Sequence, residues 1–458
     1  MDFSQLIYII PPILAVLLVI ITRKPILSLS LSILSGLIIL YGFNINLITN
    51  SFQVIYKVLT SLWNIKLVLG LLLLGGFIGI VEMAIHNKNI KLSRYFLNKK
   101  RVLFMGWISG LLFFIDDYFN ILFNGVFLKS ITRKHKISKA KLAFIIHSLG
   151  VSACVIIPFS TWTVYIVSII KNMGIENGYG IFLDSIPYDF YAISLIFITL
   201  AVILYEINIL GMKKEEQEYK IEYSTKSKSN DISLKQLLFP AVLLVAISML
   251  FLILNIIWIM TNKASNISDI ISQVDFTNIL LLSGFIGCSI VGLYYYKKGF
   301  NPKKILNSFV FGGKQMSSAV IILILAWLMG EITVRLNTTQ VIINYTQGFL
   351  SNGILVLSAF VITAVLSFMT SSWATFAVSI PIMLPLAFAS GVDPAIILGA
   401  IVSGGVFGDH TSPVSSTTIL TKAVSKIDIG KHFHTQLPYS MIAFVISAYL
   451  FVLMGGFA

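Results

Sequence analysis

Two adjacent carboxylates, Asp116 and Asp117, stand in the middle of an apolar stretch at 102–128. A carboxylate at the centre of a bilayer costs about 2.5–3.5 kcal/mol, so a neighbouring pair requires either a function or a polar surrounding. Like charges side by side also favour the uptake of a proton. We interpret the pair as a cation or proton site, with Asn120 as a neutral oxygen ligand. The alternative is a helix cap in a water-filled vestibule.

A second polar cluster occupies residues 409–418 and follows a glycine-rich stretch. Pro413 removes a helix hydrogen bond and leaves a backbone carbonyl free to accept another. Carboxylate, hydroxyl and carbonyl oxygens together are the ligands that a hard cation prefers. We therefore predict a Na⁺ site at Asp409 and Ser412. Three more residues of this cluster are candidate oxygen ligands: Thr411, Ser415 and Thr417.

Hydroxyl pairs interrupt two other apolar stretches and are further candidate ligands: Ser160 and Thr161 after Pro158, and Ser371 and Ser372 within 353–391. His147 precedes the first of these breaks. It is either a packed neutral side chain or a proton carrier, because imidazole changes its charge near neutral pH. The candidates for proton coupling are thus Asp117, Asp409 and His147.

The elements that carry these residues must belong to a membrane protein. The chain has 458 residues, of which 57% are hydrophobic and 11% charged, and its mean hydropathy is +0.90. So few polar residues exclude a soluble enzyme, a disordered chain and a nucleic-acid-binding domain. The net charge of +14 resides in short loops between apolar runs, where it indicates topology. The two cysteines form neither a metal-binding nor a disulfide pattern, and no cofactor is expected.

Ten apolar runs are long enough to cross a bilayer, which takes about 20 residues. They lie near 6–22, 25–42, 65–86, 142–170, 190–211, 237–261, 276–296, 316–337, 395–421 and 436–456. The first is expected to be a retained span and not a signal peptide, because no basic segment and no cleavage site accompany it.

The stretches at 102–128 and 353–391 are predicted to be re-entrant hairpins. Basic segments flank the first of them at 87–101 and 129–141, and each carries six Lys or Arg. A full crossing would leave one of these segments outside, against the positive-inside rule. With two hairpins, 28 of the 33 basic residues fall in inner loops, and both termini lie outside.

An ungapped shift of 255 residues relates the two halves, because it places Tyr118 on Trp373 and Pro158 on Pro413. Five spans separate the hairpins, so the repeat is inverted, which is typical of secondary transporters. We expect an all-α integral membrane fold with about ten transmembrane helices, two re-entrant hairpins and two discontinuous helices, at 142–170 and 395–421. The predicted divisions are an N-terminal half at 1–211, a cytoplasmic linker at 212–236 and a C-terminal half at 237–458.

At these residues the chain resembles the NhaC-type Na⁺/H⁺ antiporters of the ion transporter superfamily, in the subgroup marked by Asp-Asp-Tyr-Phe-Asn. Five stretches carry the resemblance: Phe114–Asn120, Lys136–Ala143, Thr370–Phe376, Gly408–Leu420 and Thr435–Tyr439. The resemblance implies two hairpins that face a central site, with exchange of cations or cation-linked movement of a solute. Where the subgroup commonly has aspartates, this chain has His147 and Ser416.

The sequence therefore predicts a Na⁺/H⁺ antiporter of the inner (plasma) membrane that works by alternating access and is surrounded by lipid. One alternative keeps the fold but carries an amino acid or a small carboxylate with H⁺ or Na⁺. A passive channel is another, and a more remote one is a prenyl-transferring membrane enzyme, because Asp116-Asp117-x-x-Asn120 loosely resembles Mg²⁺-binding acidic motifs. No nucleic-acid partner is expected, and a homodimer is compatible with the sequence.

Overall fold

The computed structural model describes residues 3–22, 24–85, 89–91, 98–222, 231–262, 274–338, 341, 352–413 and 415–457. The helices up to the predicted linker are α1 (Ile10–Thr22), α2 (Pro25–Tyr41), α3 (Ile45–Thr60), α4 (Leu62–Ile85), α5 (Lys99–Leu112), α6 (Asp117–Lys134), α7 (Lys139–Ile156), α8 (Thr161–Asn172), α9 (Gly178–Ser185), α10 (Phe190–Leu204) and α11 (Leu210–Glu222). Those that follow are α12 (Leu234–Asn262), α13 (Phe276–Lys297), α14 (Pro302–Gln315), α15 (Ser317–Arg335), α16 (Asn352–Met369), α17 (Ser372–Ser390), α18 (Pro394–Thr411), α19 (Ser416–Ser425) and α20 (Ile429–Phe457). Two short strands, β1 (Asn89–Lys91) and β2 (Asp231–Ser233), pair in parallel, and 3₁₀ turns lie at Phe3–Ile9 and Ile186–Tyr188.

The predicted all-helical membrane fold is confirmed. In the described part of the chain, eight helices are long and apolar enough to cross a membrane, or nine if the bent pair Gly178–Tyr188 and Phe190–Leu204 is one span. Each of the ten predicted spans coincides with a helix or with a broken pair of helices. The first two, α1 and α2, have only 13 and 17 residues, which is less than the length of about 20 that a perpendicular crossing needs.

The predicted repeat and both discontinuous helices are also confirmed. Helices α7 and α18 begin and end 255 residues apart, and so do the starts of α6 and α17 and of α8 and α19. The first predicted hairpin is formed by α5 and α6, and the second by α16 and α17. Helix α5 runs antiparallel to α6, since Gly106 packs on Leu128 while Gly110 bonds Asn120. Each half therefore has one hairpin tip, where the two arms of the hairpin meet, and one break, where the discontinuous helix is interrupted, at equivalent positions.

Two amphipathic helices, α3 and α14, occupy segments for which the sequence predicts loops, and the prediction of a loop at 297–315 is wrong. Helix α3 exposes Ile48, Phe52 and Leu59 while it buries Val54 and Val58. The apolar residues recur at helical spacing, but polar residues between them keep the average hydropathy too low for a span. The starts of α3 and α14 lie 257 residues apart, so the two helices hold nearly equivalent places in the repeat.

Helix α14 packs directly against α4 through glycines. A side chain on Gly312 would lie 2.1 Å from the carbonyl oxygen of Gly75, and one on Gly79 would lie 2.1 Å from that of Ser308. Gly75 and Gly79 are four residues apart, which is the small-residue spacing that lets membrane helices approach closely. Because α14 leads through Met316 into α15, this contact fixes where α15 begins.

The predicted linker at 212–236 begins within α11, while residues 223–230 lie outside the described part. Glu216 on α11 is buried and accepts hydrogen bonds from Lys99 Nζ at 2.8 Å and from the backbone N–H of Ser138 at 2.9 Å. Burial raises the pKa of Glu216, but these bonds and the charge of Lys141 outweigh burial, so the pKa lies below its ordinary value of 4.5. The charged carboxylate therefore holds α11 against α5 and α7.

We expect Gly312→Ala to destabilise the protein, because the added methyl group clashes with backbone and overpacking costs about 1–3 kcal/mol. Gly313→Ala is the matched control, since its methyl group would lie 3.4 Å from the nearest atom, the carbonyl oxygen of Leu72. Both substitutions raise helix propensity equally, so the difference in stability between the two variants measures the effect of the contact between α14 and α4. Thermal unfolding in detergent measures it, and equal melting temperatures for the two variants would contradict the packing described.

We also expect Glu216→Gln to lower the melting temperature at neutral pH. A carboxyl group with a depressed folded pKa contributes stability that is present above its unfolded pKa and is lost as the pH falls through the folded pKa. The difference between wild type and variant should therefore shrink below the ordinary value of 4.5. Glu218→Gln on the same helix, whose carboxylate is exposed and 3.9 Å from Lys214, should change nothing at any pH. A pH-independent effect of the Glu216 variant would refute this account.

Candidate functional site

The tip of the first hairpin is held by Asp116. Its Oδ1 accepts a hydrogen bond from the backbone N–H of Phe119 at 2.9 Å, which caps the start of α6. Its Oδ2 accepts from the hydroxyl of Thr161 at 3.1 Å, and the carbonyl of Ile115 accepts from the Thr161 N–H at 2.9 Å. The tip is therefore bonded to the first residue of α8, the second part of the broken helix.

Asn120 and Asn124 join the two arms of this hairpin. Asn120 Nδ2 donates to the carbonyl of Gly110 at 2.6 Å, and Asn124 Nδ2 donates to Asn120 Oδ1 at 2.6 Å. The hydroxyl of Ser109 donates to Asn124 Oδ1 at 2.5 Å. The sequence predicts that the amide oxygen of Asn120 is a cation ligand, but this oxygen accepts the hydrogen bond from Asn124. Asn120 also does not line the cavity described below.

Asp409, in the last turn of α18, is surrounded by hydroxyl groups. Its Oδ1 accepts from Ser415 at 2.7 Å and from Ser372 at 3.3 Å, and its Oδ2 accepts from Thr417 at 2.5 Å. Three donors compensate for the burial of a carboxylate that is 2% exposed. Because Ser372 belongs to the tip of the second hairpin, a carboxylate–hydroxyl bond joins tip and break here as it does in the first half.

A cavity of about 160 Å³ lies where the two tips and the second break meet, and three carboxylates line it: Asp116, Asp117 and Asp409. Its hydroxyl and aromatic lining comes from Ser318, Ser371, Ser372, Ser416, Thr417, Tyr118 and Trp373. Asp117 is 1% exposed, and its Oδ1 has no hydrogen-bond partner within the described ranges. None of the described residues that line the cavity is Lys, Arg or His.

Three buried histidines, His147, His410 and His432, form a connected group outside the cavity, and this group reaches Asp409 through His147. The Nε2 of His147 lies 3.8 Å from Asp409 Oδ2 and 3.0 Å from the hydroxyl of Thr417. The Nδ1 of His147 lies 2.9 Å from the Nε2 of His432. The Nε2 of His410 donates to the backbone carbonyl of His147 at 3.1 Å, and its Nδ1 lies 3.2 Å from the hydroxyl of Tyr191.

His432 lies at the end of this chain of contacts, in the first turn of α20. Its ring is 1% exposed, and its Nδ1 has no partner among the described residues. Gln436, one turn further on, is also buried, and both atoms of its amide group lack such a partner. Lys431 and His434, the neighbours of His432 along the helix, are exposed. Contacts between polar side chains thus connect His432, in the first turn of α20, to Asp409 through His147.

Half of the predicted ligands line the cavity: Asp116, Asp117, Ser371, Ser372, Asp409 and Thr417. Thr161 and Ser415 bond its carboxylates from outside. The remaining four, Asn120, Ser160, Thr411 and Ser412, do not line it. Ser160 caps α8, the Thr411 hydroxyl donates to the carbonyl of Phe407, and the carbonyl of Ser412 accepts from Thr418.

Sequence reasoning did not identify Ser318, Tyr118 or Trp373 as lining residues, nor His432 as a neighbour of His147. A signal for His432 exists in the spacing of His432, Gln436 and Ser440, which places three polar side chains on one face of α20. No comparable signal marks Ser318, because serines near the start of a membrane helix are common.

Comparison with known proteins gives the same class of molecule as this geometry. Residues 153–456, from α7 to α20, match the Na⁺/H⁺ antiporter family. The chain is 30% identical over 175 residues to the malate-2H⁺/Na⁺-lactate antiporter of Bacillus subtilis, which covers 38% of this chain and 37% of that protein. It is 28% identical over 162 residues to the Na⁺/H⁺ antiporter NhaC of Alkalihalophilus pseudofirmus, which covers 35% of each chain.

The fold also resembles the crystal structure of the YdaH transporter of Alcanivorax borkumensis, with a TM-score of 0.60 over 94% of this chain and 98% of that one. The sequence identity is 14%, so this likeness concerns the fold alone. The predicted NhaC-type resemblance is confirmed, and the protein is a multi-pass, ion-coupled secondary transporter. The chain belongs to the Na⁺/H⁺ antiporter family.

Proposed function

We propose that the protein exchanges Na⁺ for H⁺ by alternating access and that the central cavity is the site both ions use. The observation that carries this proposal is Oδ1 of Asp117, a buried carboxylate oxygen without a hydrogen-bond partner in the described part of the chain. Asp117 lines a cavity with two further carboxylates and no basic side chain in its described lining. Desolvated carboxylates in such a place require a cation or a proton.

Asp117 and Asp409 have different parts in this exchange. Asp117 offers a carboxylate oxygen that accepts no hydrogen bond from the described residues, and Ser371 and Ser372, which line the same cavity, add hydroxyl oxygens as neutral ligands. Asp409 accepts hydrogen bonds from three hydroxyl groups, which favour its charged form, and His147 lies 3.8 Å away as the group through which a proton arrives and leaves. Because Asp117 and Asp409 line the same cavity, the charge of each acts on the other. A cation at one carboxylate therefore disfavours a proton at the other, which couples the two ions.

The proton reaches Asp409 through His432 and His147. A carboxylate oxygen only accepts, so Thr417 donates to Asp409 Oδ2 and the Nε2 of His147 donates to Thr417. In neutral His147 the Nδ1 is then an acceptor, and the Nε2 of His432 donates to it. This leaves the Nδ1 of His432 as the open acceptor. A proton that binds there moves each hydrogen one bond onward and protonates Asp409.

The second candidate function is transport of an amino acid or a small carboxylate on the same fold, coupled to H⁺ or Na⁺. A cavity of about 160 Å³ has room for an organic solute as well as an ion. The Bacillus subtilis relative named above is a malate-2H⁺/Na⁺-lactate antiporter. An amino acid would place its ammonium group against Asp117, whereas a dicarboxylate meets three like charges. Adding each solute to the assay below separates these cargoes from Na⁺.

We expect Asp409→Asn and Asp117→Asn to abolish Na⁺-driven proton movement in proteoliposomes that contain a pH-sensitive dye. Each change removes one of the two charges that couple the ions while it keeps the side-chain shape. Asp189→Asn is the matched control, because Asp189 is equally buried but bonds Ser403 outside the cavity. Full exchange in the Asp117 variant, or an inactive Asp189 variant that is folded, would contradict the assignment.

We expect His432→Gln to slow exchange roughly a hundredfold, which is at the low end of what positioned proton-transfer groups contribute. Glutamine can still donate to His147 but cannot pass a proton on, so the apparent affinity for Na⁺ should stay unchanged. His434→Gln, two residues along on the exposed face, serves as the control. Initial rates at several Na⁺ concentrations separate the two effects. Equal rates for both variants would rule out this route.

A further inference from the structure

An apolar groove of about 520 Å³ lies between α4, α13 and α14, away from the central cavity. Its lining on α13 extends from Phe285 to Tyr296, a separation of eleven residue steps or about 16 Å along a helix. The hydrocarbon core of a bilayer is about 30 Å thick, so the groove is about as long as one leaflet is deep. Its shape therefore matches a single extended acyl chain.

Four lysines stand at one end of this groove: Lys297, Lys298, Lys303 and Lys304. All four are exposed, and they are sequence neighbours of Tyr296, Pro302 and Ile305, which line the groove. The segment 297–315 contains no Asp or Glu. This end of the groove is thus strongly basic, while its interior is apolar.

We infer that the groove binds an anionic phospholipid, with an acyl chain between the three helices and the phosphate headgroup on the four lysines. Basic pockets at the ends of membrane helices hold anionic headgroups in this way. A zwitterionic lipid would bring a positive group to the same four lysines, so the charge selects an anionic one. Gly292 lines the groove with open space around it, since the nearest atom to an added side chain would be 3.8 Å away, on Ile305.

The bound lipid acts on transport through α14. One side of α14 lines the groove through Ile305 and Phe309, and Gly312 packs on the glycines of α4. Met316 is the first residue after α14, and it lines the central cavity together with residues of α15. A lipid that fixes α14 against α4 and α13 therefore also fixes the wall of the cavity that α15 provides, and it raises the transport rate.

Binding is tested first, independently of transport. The purified protein in nanodiscs of phosphatidylcholine, with or without a quarter phosphatidylglycerol, is compared by thermal unfolding and by native mass spectrometry of retained lipid. We expect phosphatidylglycerol to raise the melting temperature of the wild type, and we expect K303Q/K304Q and Gly292→Leu to lose most of that rise. K213Q/K422Q removes two exposed lysines elsewhere and should behave as wild type.

Exchange rates in proteoliposomes of the same two compositions then measure the coupling. Phosphatidylglycerol should raise the wild-type rate several-fold but leave K303Q/K304Q at its rate in phosphatidylcholine. Soluble glycerol phosphate should not replace the lipid, because it lacks the acyl chain. Equal responses to phosphatidylglycerol in the wild type and in both groove variants, or no response in the wild type, would overturn the inference. The unfolding result stands even if Na⁺ is not the cargo.

Discussion

Asp116, Asp117 and Asp409 are buried together inside a membrane protein, and the surrounding fold compensates for that burial. Neither half of the chain completes the site alone, because the first supplies two carboxylates at a hairpin tip and the second supplies one at the end of α18. The donors that stabilise Asp409 come from the second tip and the second break. The tips must therefore pack close to each other and to the broken helix, and the long scaffold helices keep them there.

The two halves share the same arrangement of helices, but their aspartates occupy different positions in it. Asp116 and Ser371 cap the second arms of the two hairpins at positions 255 residues apart, and Ser160 and Ser415 hold the equivalent places before α8 and α19. Both halves need cap residues because each break leaves N–H groups unpaired. Asp409 has no acidic counterpart, since Cys154 stands at the equivalent position. Because the repeat is inverted, carboxylates from non-equivalent elements of the two halves line the same cavity.

The features that sequence predicted have local causes, and the features it missed depend on contacts between distant segments. Proline marks the two breaks, and the basic flanks of 102–128 identify a hairpin because charge does not cross a bilayer readily. Helix α14 escaped prediction because polar residues dilute its apolar face below the hydropathy of a span. Asn120 carries an oxygen that suits a cation, but only the packed hairpin shows that Asn124 uses it. The contact of His147 with His432 joins residues 285 positions apart, which no spacing rule anticipates.

Four helices begin at or beside the cavity, because α6, α8, α17 and α19 all start at a tip or a break. Their first residues line the cavity or bond one of its carboxylates: Asp117, Thr161, Ser372 and Ser416. Each helix N-terminus carries about half a positive elementary charge, so four of them set roughly two positive charges against three carboxylates. Roughly one negative charge then remains, and one Na⁺ or one proton neutralises it. For the exchange proposed above, the cavity is balanced when one of the two ions is bound and unbalanced when it is empty or holds both, and this imbalance makes the proposed exchange obligatory.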